Sequence, residues 1–390
     1  MAMEREGTPW PLKMAFFTWN MESQAEKIPV VVERLGDKPS DVLVTCQTEA
    51  IADMESQLLD KGWIPVAGGR HSGSTGINGK LGVDSLNEQI LSVFVRSSKW
   101  SKAMTPQKGA SMCSAASAIP SSVGKLANSL NPALQILRAD KAFRFLTNAG
   151  GFLTHAGAMC PMTVNITGTA DVFMSTTSTT VSSDWKGKGG VFATLSFQDG
   201  FSLQVACAHL DSKTADVRTT QVKNMLQQME EEHPSASKIV LGDLNYRLSR
   251  DHTNKTEVMD LLVSSDKKWS SLAIRDPLNP GSKFGEKASL ISAYDFECNQ
   301  PHGEYLPTYK RDPDALHLLA PFATRDLYSK GLDKDKRAGE LELGWLDRLC
   351  WKVPRNSGKE FVLEKDEGWQ GVGGSDHMAV SWEAQLKEVS

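Results

Sequence analysis

The densest group of reactive side chains is Gly242-Asp243-Leu244-Asn245-Tyr246-Arg247, directly after the apolar run Lys238–Leu241. Side chains alternate along a strand, so Asp243 and Asn245 would share one face. A carboxylate there can accept a proton from water, and an amide can both donate to and accept from the same water. Strand ends in layered α/β proteins are where such groups collect. A turn in which Asp and Asn bond their own backbone is the bland alternative. A second group, Gly374-Ser375-Asp376-His377, stands just before the last apolar run. Asp376 would suit a hard cation, which prefers carboxylate oxygens. His377 would contact a phosphate or an orienting acid. An N-cap or turn explains Ser-Asp-His equally well when it is taken alone.

Further candidates stand at other strand ends. Asn20 and Glu49, in Trp19-Asn20 and Gln47-Thr48-Glu49, each offer an oxygen ligand. His209 follows the run Phe201–Ala208. Asp347 sits within an otherwise apolar strand, where an unpaired carboxylate is costly. A histidine donating its ring N–H would satisfy it. Tyr309 and Lys310, in Pro307-Thr308-Tyr309-Lys310, set a phenol beside an ammonium. Lys188 lies in the basic glycine loop Lys186-Gly187-Lys188-Gly189-Gly190, whose backbone N–H groups could approach an anion.

The elements that must carry these groups are strand-heavy. Met14–Trp19, Asp41–Cys46 and Ile90–Val95 read as buried strands. Val191–Leu195 and Phe201–Ala208 flank Gln198-Asp199-Gly200 and read as a hairpin. Ile28–Leu35 and Thr214–Glu232 carry apolar residues at helical spacing. A short helix at Glu257–Val263 and strands at Trp345–Val353 and Met378–Trp382 complete the pattern. Strands mixed with helices and hairpins predict a layered α/β fold with mixed sheets. The stretch at about 100–180 is rich in Ala, Ser, Gly and Thr, with one helix expected at Asn131–Phe145, and reads as an insertion.

Composition bounds the class. The chain has 390 residues, 40% hydrophobic and 23% charged, which is ordinary for a globular protein and argues against disorder. Its net charge of −4 leans against a chain that wraps nucleic acid, although one cleft could still be basic. No apolar run is long enough for a transmembrane helix, and the N-terminus does not read as a signal peptide. The expected location is cytoplasmic or peripheral at a membrane surface. The six cysteines form no CxxC pair, so reduced, buried thiols are expected and a zinc site is not.

Taken in order, these strings resemble the inositol polyphosphate 5-phosphatases of the endonuclease/exonuclease/phosphatase superfamily. Gly242–Arg247 and Pro307–Lys310 are the most specific, supported by Asp347-Arg348-x-x-Trp351 and Ser375-Asp376-His377. The resemblance spans Asn20 to Val380. There are departures. Thr48 intervenes between Gln47 and Glu49, where the family has Gln followed directly by the metal-binding Glu, and one residue of slip flips a strand face. Gly187 replaces Asn in Asn-Lys-Gly, Met378 replaces Pro after Ser-Asp-His, and the connection at about 100–180 is longer.

The resemblance implies two mixed β-sheets layered as a sandwich and flanked by helices, in one catalytic domain over 1–390. It implies hydrolysis of the 5-phosphate of phosphoinositides or soluble inositol polyphosphates by direct attack of water. Mg²⁺ would be held by Glu49, with Asn20 and Asp376 nearby. Asp243 would activate the water and Asn245 would hold water or phosphate. His377, oriented by Asp347, and His209 would hold phosphoryl oxygens. Tyr309 and Lys310 would take the neighbouring phosphate, with Lys188 and Arg247 as further contacts. Nucleic acid is not an expected partner, while the apolar part of Phe143–Phe152 could touch a membrane or form insertion core. The alternatives are a nuclease or a sphingomyelinase-like phosphodiesterase of the same superfamily, or an inactive phosphoinositide-binding module should the Gln-Thr-Glu departure mean a lost metal site.

Overall fold

The computed structural model describes residues 11–22, 24–50, 54–72, 88–96, 164–167, 173–182, 188–197, 200–212, 214–249, 257–258, 260–261, 269–282, 290–301, 305–313, 328, 343–369, 372 and 374–389. Two mixed sheets form the body. The first contains β1 (Leu12–Asn20), β2 (Val42–Ala50), β3 (Trp63–Ser72), β4 (Glu88–Arg96), β12 (Lys359–Trp369) and β13 (Ala379–Glu388), in the order β12-β13-β1-β2-β4-β3. The second contains β5 (Val164–Thr167), β6 (Phe173–Ser182), β7 (Gly189–Ser196), β8 (Ser202–His209), β9 (Ser237–Asp243), β10 (Glu297–Cys298) and β11 (Asp347–Lys352), in the order β10-β11-β9-β8-β7-β6-β5. The layered α/β fold expected from the sequence is the fold observed.

Alternation along the strands builds the core. Met14 and Phe16 of β1 face Val205, Cys207 and Leu241 across the space between the sheets. Their neighbours Ala15, Phe17 and Trp19 pack instead on Ile28, Val31, Val32 and Leu35 of α1 (Ile28–Gly36) and on Leu58 of α2 (Glu55–Asp60). On the far side, Phe192, Ala206 and Val240 meet Val222, Met225, Leu226 and Met229 of α3 (Ala215–Glu232). Each fully buried side chain of this size contributes about 1.5–3 kcal/mol of transfer free energy, so the sandwich is driven by apolar burial on both faces of each sheet.

Two parallel pairs decide where the chemistry goes. β1 and β2 are parallel and linked through α1, and β8 and β9 are parallel and linked through α3. Their four C-terminal ends are Asn20, the Glu49 turn, His209 and Asp243. β11 and β13 run antiparallel to β9 and β1, so Asp347 begins beside Asp243, and His377 stands just ahead of Ala379 at the Asn20 end of β1. β7 runs antiparallel to β8, which sets Lys188 just ahead of the Gly189–His209 pair. Strand direction alone therefore gathers residues from Asn20 to His377 at one edge.

The cysteine expectation needs correction. Cys46 on β2 and Cys207 on β8 both point into the space between the sheets and are joined, with Cα atoms 5.2 Å apart. Cys298 and Cys350 are direct partners on β10 and β11 and are also joined. The first pair is separated by 161 residues, so spacing along the chain could not reveal it. The final strand reaches Glu388, beyond the expected Trp382, and β3 and β12 were not read from the sequence. The hairpin, α1 and α3 stand close to their expected positions. The helix expected at Asn131–Phe145 and the apolar segment Phe143–Phe152 lie outside the described residues, while the rest of the expected insertion contributes β5 and most of β6.

Candidate active site

Asp243 is the hub. It ends β9 between His209 and Asp347, its register partners on either side. Its Oδ2 lies 3.1 Å from His209 Nε2, 3.8 Å from His377 Nε2, and accepts a hydrogen bond from Asn20 Nδ2 at 3.2 Å. Its Oδ1 accepts the Asn245 backbone N–H at 3.1 Å, so the turn reading of Asp-x-Asn and the site reading hold together. Asn245 takes a left-handed φ of 55° and spends its side chain on position. Its Nδ2 donates to Leu210 O at 3.0 Å, and its Oδ1 accepts from Arg247 at 3.1 Å. The guanidinium of Arg247 lies 4.5 Å above the Tyr309 ring, which packs 4.6 Å from the His377 ring.

His377 is fixed from both sides. Its Nδ1 is 2.8 Å from Asp347 Oδ2, and its backbone N–H donates to Ser375 Oγ at 3.0 Å. Ser375 in turn donates to the Asn20 carbonyl at 2.7 Å, tying this turn to the end of β1. His377 Nε2 lies 3.8 Å from both Asp243 and Asp376, and makes no hydrogen bond among the described residues. Lys310 Nζ pairs with Asp376 Oδ2 at 2.5 Å. The Asp376 backbone N–H donates to Glu22 at 2.9 Å, a residue the sequence reading passed over. An acid two positions after Asn20 at a strand end was the available signal.

The Glu49 register is decided by a bulge. By alternation Thr48 would continue the inward face of Val42, Val44 and Cys46, and Glu49 would face α1. Pairing of β2 with β4 shifts register between Gln47 and Ala50, and Glu49 adopts φ 52°. Such a bulge re-aims a side chain. The Glu49 carboxylate thereby comes within 3.8 Å of His209 Nε2 and 3.9 Å of Lys188 Nζ, and Lys188 also contacts His209 Nε2.

The electrostatics split the two histidines. Burial lowers the His377 pKa, but Asp347 and then Asp243 outweigh it and raise it to about 10. His209 goes the other way, lowered by burial and by Lys188 against the opposing pull of Asp243. The charged ring is thus favoured at His377 and the neutral ring at His209. Asp347 is pushed up by burial, with Asp243 adding to it and His377 opposing, so the Asp347–His377 pair keeps one proton. Burial also opposes ionisation of Asp243, yet His377, His209 and Lys188 together hold its pKa well below the usual carboxylate range. Lys310 is raised because Asp376 outweighs its desolvation.

Asn20, Glu49 and Asp376 present hard oxygen donors at one edge. Among the described residues no three His, Cys, Asp or Glu side chains form a ready cage. All the candidates named from the sequence join one continuous set of contacts, from Glu49 through His209, Asp243, His377 and Asp376 to Lys310.

Residues 159–383 match the model of endonuclease/exonuclease/phosphatase family 2. The chain belongs to this family. Members of the endonuclease/exonuclease/phosphatase superfamily are mostly hydrolases and typically depend on a divalent metal. No curated protein matches by sequence. The nitrophorin of Cimex, in its ferrous NO complex, is similar in fold at 14% identity and TM-score 0.53, over 97% of this chain and 100% of that one. At this identity the likeness shows the fold alone. TDP2 of D. rerio, complexed with single-strand DNA product, aligns over 95% of this chain and 98% of that one, at 12% identity and TM-score 0.42. The mannosyl-6-phosphatase of Bacteroides thetaiotaomicron covers 95% and 99%, at 10% identity and TM-score 0.40. Among the described residues of this family member, no helix is long and apolar enough to cross a membrane.

Proposed function

We propose that the chain is a Mg²⁺-dependent phosphomonoesterase that removes the 5-phosphate of inositol polyphosphates, lipid-linked or soluble. The observation that carries this reading is the His377 ring. Its Nδ1 is committed to Asp347, its charge is maintained, and its Nε2–H makes no hydrogen bond among the described residues beside Asp243. Such a donor suits a phosphoryl oxygen on which negative charge is held during transfer.

The other roles follow from the same geometry. Phosphoryl transfer is governed by positioning and electrostatics, with little covalent work for the protein. Asp243 has too low a pKa for a strong base, so its task is to accept a hydrogen bond from the attacking water and aim it in line. In a loose transition state the water surrenders its proton late, which makes aiming the larger part. His209, neutral, supplies a dipole and holds Asp243, while Lys188 adds positive charge near the phosphoryl group. Asn245 positions Arg247 and, through it, Tyr309. Tyr309, Lys310 and Arg247 form a cationic wall for a second phosphate next to the scissile one. Glu49, Asn20 and Asp376 would hold Mg²⁺, which when bound polarises the phosphoryl group and stabilises the leaving oxygen.

The test is a phosphate-release panel over inositol phosphates and phosphoinositides, with Mg²⁺ and with chelator. Mg²⁺-dependent release from substrates carrying a 5-phosphate is expected. Plasmid nicking without phosphate release from any inositol compound would replace this reading with a nuclease. Phosphoinositide binding without turnover of either substrate would replace it with an inactive module.

A further inference from the structure

The segment Tyr305–Arg311 is tied to the site at both ends of the Asp347–His377 pair. Tyr309 exchanges two backbone hydrogen bonds with Gly344, at 3.1 and 2.9 Å. Trp345 Nε1 donates to the Tyr305 carbonyl, and the Tyr305 hydroxyl donates to the Asp347 carbonyl, each at 2.6 Å. The Arg311 N–H donates to the Asp376 carbonyl at 2.9 Å. Thr308 sits where these ties meet. Its hydroxyl oxygen accepts the backbone N–H of Leu346 at 3.0 Å and of Asp347 at 3.1 Å. Its carbonyl accepts the N–H of Met378, the residue after His377, at 2.8 Å.

One side chain thus uses both lone pairs on the two backbone N–H groups at the start of β11, while its carbonyl holds Met378, the residue that follows His377. Thr308 is fully buried, so it touches no substrate. It is also the residue before Tyr309 and Lys310, so the same short stretch sets the cationic wall and the phosphoryl donor.

We propose that Thr308 is a positioning residue that fixes the Asp347–His377 pair against Tyr309 and Lys310. The inference rests on the phosphatase reading above for its consequence in turnover, but not for its geometry. A hydroxyl is required because two buried backbone N–H groups lose their acceptor without it, and strands carrying Asp347 then shift. A displacement of about 1 Å at reacting groups costs on the order of 10²-fold in rate.

The experiment compares Thr308→Val, Thr308→Cys and Thr308→Ser with the unaltered chain. Two readouts are taken: the kcat and KM of Mg²⁺-dependent phosphate release, and hydrogen exchange at the Leu346 and Asp347 amides. Thr308→Val is expected to lose about 10²-fold in kcat with KM held within about threefold. Thr308→Cys follows it, since sulfur is a weak acceptor. Thr308→Ser retains turnover. Exchange at the two amides accelerates in the Val and Cys variants and not in the Ser variant. If Thr308→Val does not fold, the Ser and Cys pair decides. Equal turnover in all forms, or equal loss in Ser and Val, overturns the proposal. If the unaltered chain releases no phosphate from any substrate, the phosphatase reading falls by itself. Amide exchange then decides the positioning role: protection that is indifferent to the hydroxyl overturns it, and protection lost with the hydroxyl sustains it.

Discussion

Gly242 pairs with Ala208 across β9 and β8, one residue before Asp243, with φ +133°. A Cβ built there would lie 2.1 Å from the Ala208 carbonyl oxygen, and 3.0 and 3.1 Å from its N and C atoms. Real Cβ atoms essentially never approach closer than 3.0 Å, so the two strands must part by about 0.9 Å. The opposing atoms are backbone and cannot rotate away. The His209–Asp243 contact of 3.1 Å follows directly after this point and would open to about 4 Å. For Gly242→Ala the conformational strain is about 1–3 kcal/mol and the overpacking another 1–3 kcal/mol. A total near 4 kcal/mol lowers the melting temperature of a chain this long by about 5 °C, at roughly 2 cal/mol/K of unfolding entropy per residue. Turnover should fall by about 10²-fold, the usual result of a shift near 1 Å at reacting groups. Gly200→Ala is the matched control. Its φ of +85° is also unfavourable for alanine, yet no atom of the described residues lies within 4 Å of the added carbon. It should cost only about 1–2 kcal/mol and leave turnover unchanged. Melting by circular dichroism and Mg²⁺-dependent phosphate release read both effects. If Gly242→Ala melts with Gly200→Ala and keeps its turnover within about threefold, the argument from the Ala208 clash is wrong.

Other substitutions probe separate parts of the site. Asp347→Asn removes the charged acceptor of the 2.8 Å bond to His377 inside a fully buried pair. It should lower kcat by about 10²–10⁴-fold with near-ultraviolet circular dichroism unchanged, and a loss under about tenfold would remove His377 from its assigned role. Glu49→Gln should raise the Mg²⁺ concentration for half-maximal turnover at least about tenfold, and an unchanged metal dependence would place the cation elsewhere. Lys310→Met should reduce kcat/KM for substrates with a phosphate adjacent to the scissile one by about 10–100-fold more than for those without it, and equal loss on both would discard the cationic wall.

Much of the site was legible because its chemistry is carried by short strings at strand ends. Gly242–Arg247 follows an unmistakable buried strand, but that strand ends at Asp243, and a turn with left-handed φ at Asn245, not alternation, sets Asn245 beside it. Asp347 in an apolar run demanded a partner, and His377 is that partner. What the chain alone could not decide is everything that depends on register or on contacts distant in sequence. The bulge at Glu49 overrides simple alternation, because backbone φ at one residue changes the face. The Cys46–Cys207 bond exists because inward faces of two sheets meet, which no spacing encodes. Opposite charge states for His209 and His377 arise from which neighbour, Lys188 or Asp347, is packed against each ring. Residue types and local periodicity determined which groups are present and which strands bear them. Tertiary packing decided their distances and ionisation, because those depend on desolvation and on neighbours that lie from about twenty to more than two hundred positions away along the chain.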